Sequence, residues 1–84
     1  MKTGYHSGKL VFGKTETIGR RIKKARRWYG MSQPELALMA QVSDGTISRI
    51  ESGDDFLLST LMLISQGLDI PLERFVHDLP ELRR

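Results

Sequence analysis

Residues 32–53, SQPELALMAQVSDGTISRIESG, constrain the fold more than any other stretch, because they place two short helices end to end across a tight turn. Ser32 precedes Gln33-Pro34-Glu35, and a serine cap with proline in the first turn and glutamate at cap plus three is a strong helix start. Leu36, Ala37 and Ala40 form the inner face of this helix, and its small residues suit a close crossing by a neighbour. Val42 plugs the turn. Ser43 caps a second helix with Ile47 and Ile50 inward and Asp44, Gly45, Ser48, Arg49 and Ser52 on the outer arc, and Gly53 ends it.

The rest of the chain has to cover the apolar side of this pair. Its 84 residues suffice for one small domain. It has no cysteine, which excludes a disulfide framework and a thiolate zinc site. No apolar run approaches a membrane span or a signal-peptide core, so a soluble cytoplasmic protein without membrane attachment is expected. The net charge of +3 conceals a polarity: residues 1–29 carry nine Lys or Arg against the single acid Glu16, and residues 30–84 carry four against nine acids. The first third is basic enough to seek a polyanion, although a charge run is also what a solvated helix face looks like.

In chain order, residues 1–16 lack helical periodicity and are expected to form a flexible basic arm. Within it the strand-favouring run 9–12, flanked by Gly8 and Gly13, suits pairing with a partner chain or packing on the domain, with disorder at the terminus as the alternative, and the basic arm as a whole suits the backbone or groove of DNA. The domain proper spans 17–76. Its first helix should run from Thr17 to Tyr29, with Ile18, Ile22, Ala25 and Tyr29 on one face and Gly30 as a left-handed stop. Arg20, Lys23, Lys24 and Arg27 occupy the opposite arc. Arg26 falls about 80° from Ile18, at the border of the buried stripe, where an ion pair suits it better than open solvent. Trp28 reads as a partly buried boundary residue.

The fourth helix is expected over 56–68, with Leu58, Leu61, Met62, Ser65 and Leu68 as its buried stripe, a last turn weakened by Gly67, and Asp69 as a left-handed cap. Residues 70–75 suggest a short fifth helix opened by Pro71, closing the core with Leu72, Phe75 and Val76. The tail, 77–84, adds Leu79 and Leu82 around Pro80. The two histidines, His6 and His77, stand far from each other and from any serine or acid pair with catalytic spacing, and the chain has no phosphate loop, metal cluster or activated nucleophile. An enzyme, a cofactor and a metal site are therefore not expected.

As a set, Ile18-Gly19, Ile22, Arg26, Gly30-Met31-Ser32-Gln33, Glu35-Leu36-Ala37, Val42-Ser43, Thr46-Ile47-Ser48-Arg49-Ile50-Glu51, Gly53, Leu61, Leu68 and Ile70 resemble the phage-repressor and Cro-like helix-turn-helix domains, often called the XRE family of transcriptional regulators. The resemblance implies an all-α, compact five-helix bundle of the lambda-repressor-like type. In it the third helix enters the major groove of double-stranded DNA, the second lies across the backbone, and the region around the fifth contributes to a homodimer. It also implies a structural ion pair between Arg26 and Glu51, and phosphate binding at Ser32 and Gln33. Ser43 and Thr46 would make further phosphate or base contacts, and Asp44, Gly45 and Arg49 would stand at the base-reading positions. Of these, Arg49 can bond guanine O6 and N7, Asp44 can only accept, as from cytosine N4, and Gly45 lets the backbone come close. Specificity would then rest on Arg49, Ser48, Thr46 and DNA shape, with affinity from Arg20, Lys24 and the arm.

The chain also departs from that pattern. Gln41 stands where the family has glycine at positive φ, and Asp54-Asp55 stand where a loop approaches phosphate, unless they turn back to cap the fourth helix. Leu38, Met39 and Leu63 replace charged residues and suggest a protein-contact patch. The expected function is that of a homodimeric, operator-binding regulator, a repressor of bacterial or phage origin acting at the nucleoid. The alternative is a protein-binding module, such as an antitoxin, anti-repressor or polymerase-binding regulator, with weak or no DNA binding of its own.

Overall fold

Side-chain caps start the first three helices. The computed structural model describes residues 9–80. Among them α1 (Ile18–Trp28), α2 (Gln33–Ala40), α3 (Asp44–Glu51), α4 (Leu58–Leu68) and α5 (Leu72–Val76) follow in order. Thr17 Oγ1 accepts the Arg20 N–H and Ser43 Oγ the Thr46 N–H. Ser32 and Glu35 form the full capping box, Ser32 Oγ accepting the Glu35 N–H at 3.2 Å and the Glu35 carboxylate accepting the Ser32 N–H at 2.8 Å. Between α2 and α3, Gln41 adopts the left-handed conformation at φ 61°, as the turn requires, at a cost of about 1 kcal/mol for a residue with a Cβ. Asp69 does the same after α4, at φ 54°.

The apolar faces converge on one core, built from Ile22 and Ala25 of α1, Leu36, Ala37 and Ala40 of α2, Ile47 and Ile50 of α3, Leu61, Ile64 and Leu68 of α4, then Ile70 and Phe75. α2 packs against both α3 and α4, α1 lies on α3, and α5 closes against α1 and α4. Two approaches are close at a glycine, the first closer than any Cβ tolerates and the second tight. A Cβ at Gly19 would stand 2.2 Å from the Ile50 carbonyl oxygen, and one at Gly67 would stand 3.0 Å from the Ala40 nitrogen.

α4 departs from expectation. It starts at Leu58 rather than Phe56, and Phe56 packs on the core from the loop. Its buried stripe is Leu61, Ile64, Ser65 and Leu68, whereas Leu58 and Met62 are exposed. The α2–α4 crossing lies near Gly67, about 13 Å along the helix from Leu58, so the first turn lies well away from that crossing.

Residues 9–13 form no strand. They pack on the domain: Leu10 and Phe12 lie against the core, and the Phe12 ring centroid is 5.5 Å from that of Phe75. The Arg74 guanidinium stacks over Phe12 and donates to the Leu10 carbonyl. At the other end, Leu79 is buried. Residues 1–8 of the arm, with His6, and Leu82 of the tail lie outside the described residues.

Among the described residues Arg21 is the largest fully buried side chain, a role its sequence context does not announce. Its guanidinium donates to six backbone carbonyls: Glu16 at 2.8 Å, His77 at 2.6 Å, and Gly13, Arg74, Phe75 and Asp78 at 3.4–3.5 Å. The oxygens at the end of α5 are those a helix leaves unpaired, and a cation is the charge that end favours. What the sequence does offer is the helical wheel, where Arg21 falls about 60° from Ile18 on the flank opposite Arg26.

Candidate nucleic-acid interface

The exposed face of α3 is held in place from beneath by a buried ion pair. Arg26 Nε lies 2.7 Å from Glu51 Oε2 and Arg26 Nη2 lies 3.0 Å from Oε1, a bidentate fork with the Glu51 side chain only 3% exposed. Arg26 also donates to the Met31 carbonyl at 2.7 Å, and Gln33 Nε2 donates to Glu51 Oε1 at 3.1 Å. One carboxylate thus joins the end of α3 to the last turn of α1 and the start of α2.

This junction fixes where the expected contact residues stand. Ser32 and Gln33 lie at the C-terminal end of α3, and Ser43 and Thr46 at its N-terminal end, about 12 Å away for a helix of this length. Between them Asp44, Ser48 and Arg49 are exposed, and Gly45 is half-buried. At the start of α2 the capping box uses the Ser32 and Glu35 amides and Pro34 has none, so the Gln33 N–H is the first-turn donor left for an anion. The Ser32 hydroxyl accepts from Glu35, which leaves its proton to donate outward. Gln33 spends one side-chain N–H on Glu51 and retains the other. Ser43 and Thr46 share a hydrogen bond of 2.8 Å, so one of their two hydroxyl protons remains for an external acceptor.

Arg20 and Lys24 are both exposed, but their charges are not equally available. Lys24 Nζ lies 3.1 Å from Glu16 Oε1. Glu16 also accepts the Gly13 N–H at 2.6 Å, and that bond does most to hold its carboxyl below its ordinary 4.5. Burial opposes the shift, while the hydrogen bond and charge of Lys24 and the charge of Arg20 add to it. Among the described residues, the row on α1 that makes no ion pair is Arg20, Lys23 and Arg27, bordering a cleft shared with Met31 and Glu51, beside the start of α2. Lys23 and Arg27 were placed on this arc by the sequence without being named as contacts.

Asp54 and Asp55 are exposed and do not cap α4, whose cap position, Leu57, has no side-chain hydrogen bond. They are open acids at the end of α3. Leu38, Met39 and Leu63 are exposed, Leu38 at 80%. No helix among the described residues is long and apolar enough to cross a membrane.

Known proteins share this fold. SinR, a master regulator for biofilm formation solved in complex with DNA, superposes with a TM-score of 0.67 at 32% identity, over 71% of this chain and 98% of SinR. The P22 c2 repressor, solved with a synthetic operator, gives 0.68 at 26% identity over 76% and 98%. The restriction-modification controller protein C.AhdI from Aeromonas hydrophila gives 0.67 over 69% and 89%, and at 24% identity shows the fold alone. An uncharacterized HTH-type transcriptional regulator, y4aM, of Sinorhizobium fredii is 32% identical over 65 residues. That alignment takes in 76% of this chain and 46% of the relative, so the chain spans about half the relative's length. The helix-turn-helix family profile matches residues 22–75, and a match over that whole run places the chain in the helix-turn-helix family.

Proposed function

We propose that the protein is a sequence-specific, double-stranded DNA-binding transcriptional regulator, a repressor that occupies operator DNA as a homodimer with α3 in the major groove. The observation that carries this reading is the pairing of outward donors at both ends of α3 with an exposed Arg49 between them. Ser32, Gln33, Ser43 and Thr46 dock on phosphates, Arg49 and Ser48 face base edges with Asp44 and Gly45 beside them, and Arg20, with Lys23 and Arg27, follows the backbone. Lys24 contributes less, because Glu16 neutralises it. Two such helices in a dimer would stand about 34 Å apart, one DNA turn. Such a regulator works in the cytoplasm, at the nucleoid.

Duplex binding measured across a salt titration tests this. Each cation on a phosphate contributes about −0.9 to the slope of log K against log salt, so Lys23→Ala should flatten the slope by about that amount and Lys24→Ala by less. Absence of binding at low salt by a natively folded protein overturns the reading. A second reading, a contact with a protein partner through Leu38, Met39 and Leu63, is favoured by their exposure. It takes precedence if duplex DNA is not bound.

A further inference from the structure

The outer face of α3 holds a contact that spacing alone does not reveal. A Cβ built on Gly45 would stand 3.0 Å from Arg49 Nη1, 3.7 Å from Cζ and 3.8 Å from Nη2. The guanidinium of Arg49 therefore reaches back to the place a Gly45 side chain would fill, Nη1 foremost, one turn toward the helix start, which is the direction in which helical side chains lean. The first turn is the part of a recognition helix that reaches base edges. Gly45 presents no side chain of its own there, and the space is occupied by the charged head of a residue four positions later.

We infer that Gly45 is a specificity-determining residue that acts through Arg49: its bare Cα is the seat that places the guanidinium at the first turn of α3. The inference rests on the DNA-binding reading above and deepens it. Two base-reading positions then act as one, and each half-site presents one guanine to one guanidinium, aimed from the first turn. A side chain at 45 would push that head toward the C-terminal end of α3, away from the bases the first turn faces. The displacement grows with the size of the side chain. Alanine obliges Nη1 to yield by a few tenths of an ångström, which a flexible head does readily, whereas a branched side chain fills the seat.

The test compares the full chain with Gly45→Ala, Gly45→Val and Arg49→Ala on a duplex selected by the wild-type protein, and on the same duplex with each guanine in turn replaced by 7-deazaguanine, which lacks the N7 acceptor. The wild-type protein should show one guanine per half-site whose mutation to another base costs about 5- to 150-fold, the range of a bidentate arginine contact. Gly45→Val should reduce that ratio to about twofold, as Arg49→Ala does, and Gly45→Ala should fall between. Gly45→Ala should melt no lower than the wild type, since alanine favours a helix over glycine, which separates lost reading from lost folding. In the free protein the Arg49 side-chain Nε–H should gain mobility by NMR relaxation in Gly45→Val. Wild-type preference retained by Gly45→Val, or unchanged Arg49 mobility, overturns the inference while leaving the DNA-binding reading intact. A wild-type protein that prefers no duplex overturns both.

Discussion

Replacing Gly19 with alanine should be the most damaging single-methyl change in the chain. The added Cβ would sit 2.2 Å from the Ile50 carbonyl oxygen and 3.4 Å from the Glu51 Cα. The first distance is about 1 Å short of an ordinary carbon–oxygen contact. Both obstacles are backbone, so no side chain can swing aside and α1 must lift from α3 by about that amount. The lift loosens the packing of Ile22 and Ala25 in the shared core, at about 1–3 kcal/mol for an overpacked site. It also stretches the Arg26–Glu51 bonds, now 2.7 and 3.0 Å, beyond useful length, and complete rupture of a buried pair costs about 3–5 kcal/mol. The better helix propensity of alanine returns about 1 kcal/mol. A net loss of about 3 kcal/mol is a large part of what a domain of this size has, and corresponds to a fall in Tm of about 12–24 °C. Thermal unfolding followed by circular dichroism measures it, with Gly45→Ala as the control in which only a flexible arginine head lies nearby. A Tm for Gly19→Ala within about 3 °C of wild type would refute the argument that the α1–α3 distance is fixed by backbone contact.

Glu51→Ala should cost about 3–5 kcal/mol, because it leaves the Arg26 guanidinium buried without a counter-charge and releases Gln33; chemical denaturation measures this, and the double variant with Arg26→Met should recover part of the loss. The lowered pKa of Glu16 means that the folded state favours its ionised form. That stabilisation is present above its ordinary 4.5 and is lost as pH falls through the lower, folded-state value. A wild-type Tm that drops over this acid range more than that of Glu16→Gln is the expected outcome, and parallel profiles would show that the Gly13 and Lys24 contacts do not act on stability.

The parts of the fold that depend on near neighbours were legible in the sequence. Thr17, Ser32 and Ser43 cap the helices they were expected to cap, since a cap needs only a side chain and an amide three residues on. The wheel position of Arg26 anticipated its pair with Glu51, and the resemblance supplied the partner. The stripe of α4 was misplaced by roughly 45° because the helix is apolar on nearly all sides, so that periodicity defines its direction poorly. The periodicity puts Leu58 and Met62 inward and passes over Ile64, which is fully buried. Arg21 escaped because its partners are backbone carbonyls, four of them more than fifty residues away, and a carbonyl has no sequence signature. At the candidate interface residue types were legible, but not their engagement: the tie of Lys24 to Glu16 and the seat of Arg49 on Gly45 depend on side-chain paths that spacing does not specify.

The web of bonds around Arg21 makes two distant parts of the chain a single unit of motion. The segment holding Gly13 and Glu16 and the segment from Arg74 to Asp78 hang on one guanidinium. Withdrawal of that group exposes all six oxygens together, so neither segment can loosen cheaply while the other stays closed. Local opening at the two ends of the fold is thereby a shared event rather than independent fraying, and the amides of both segments should exchange with solvent at matched rates.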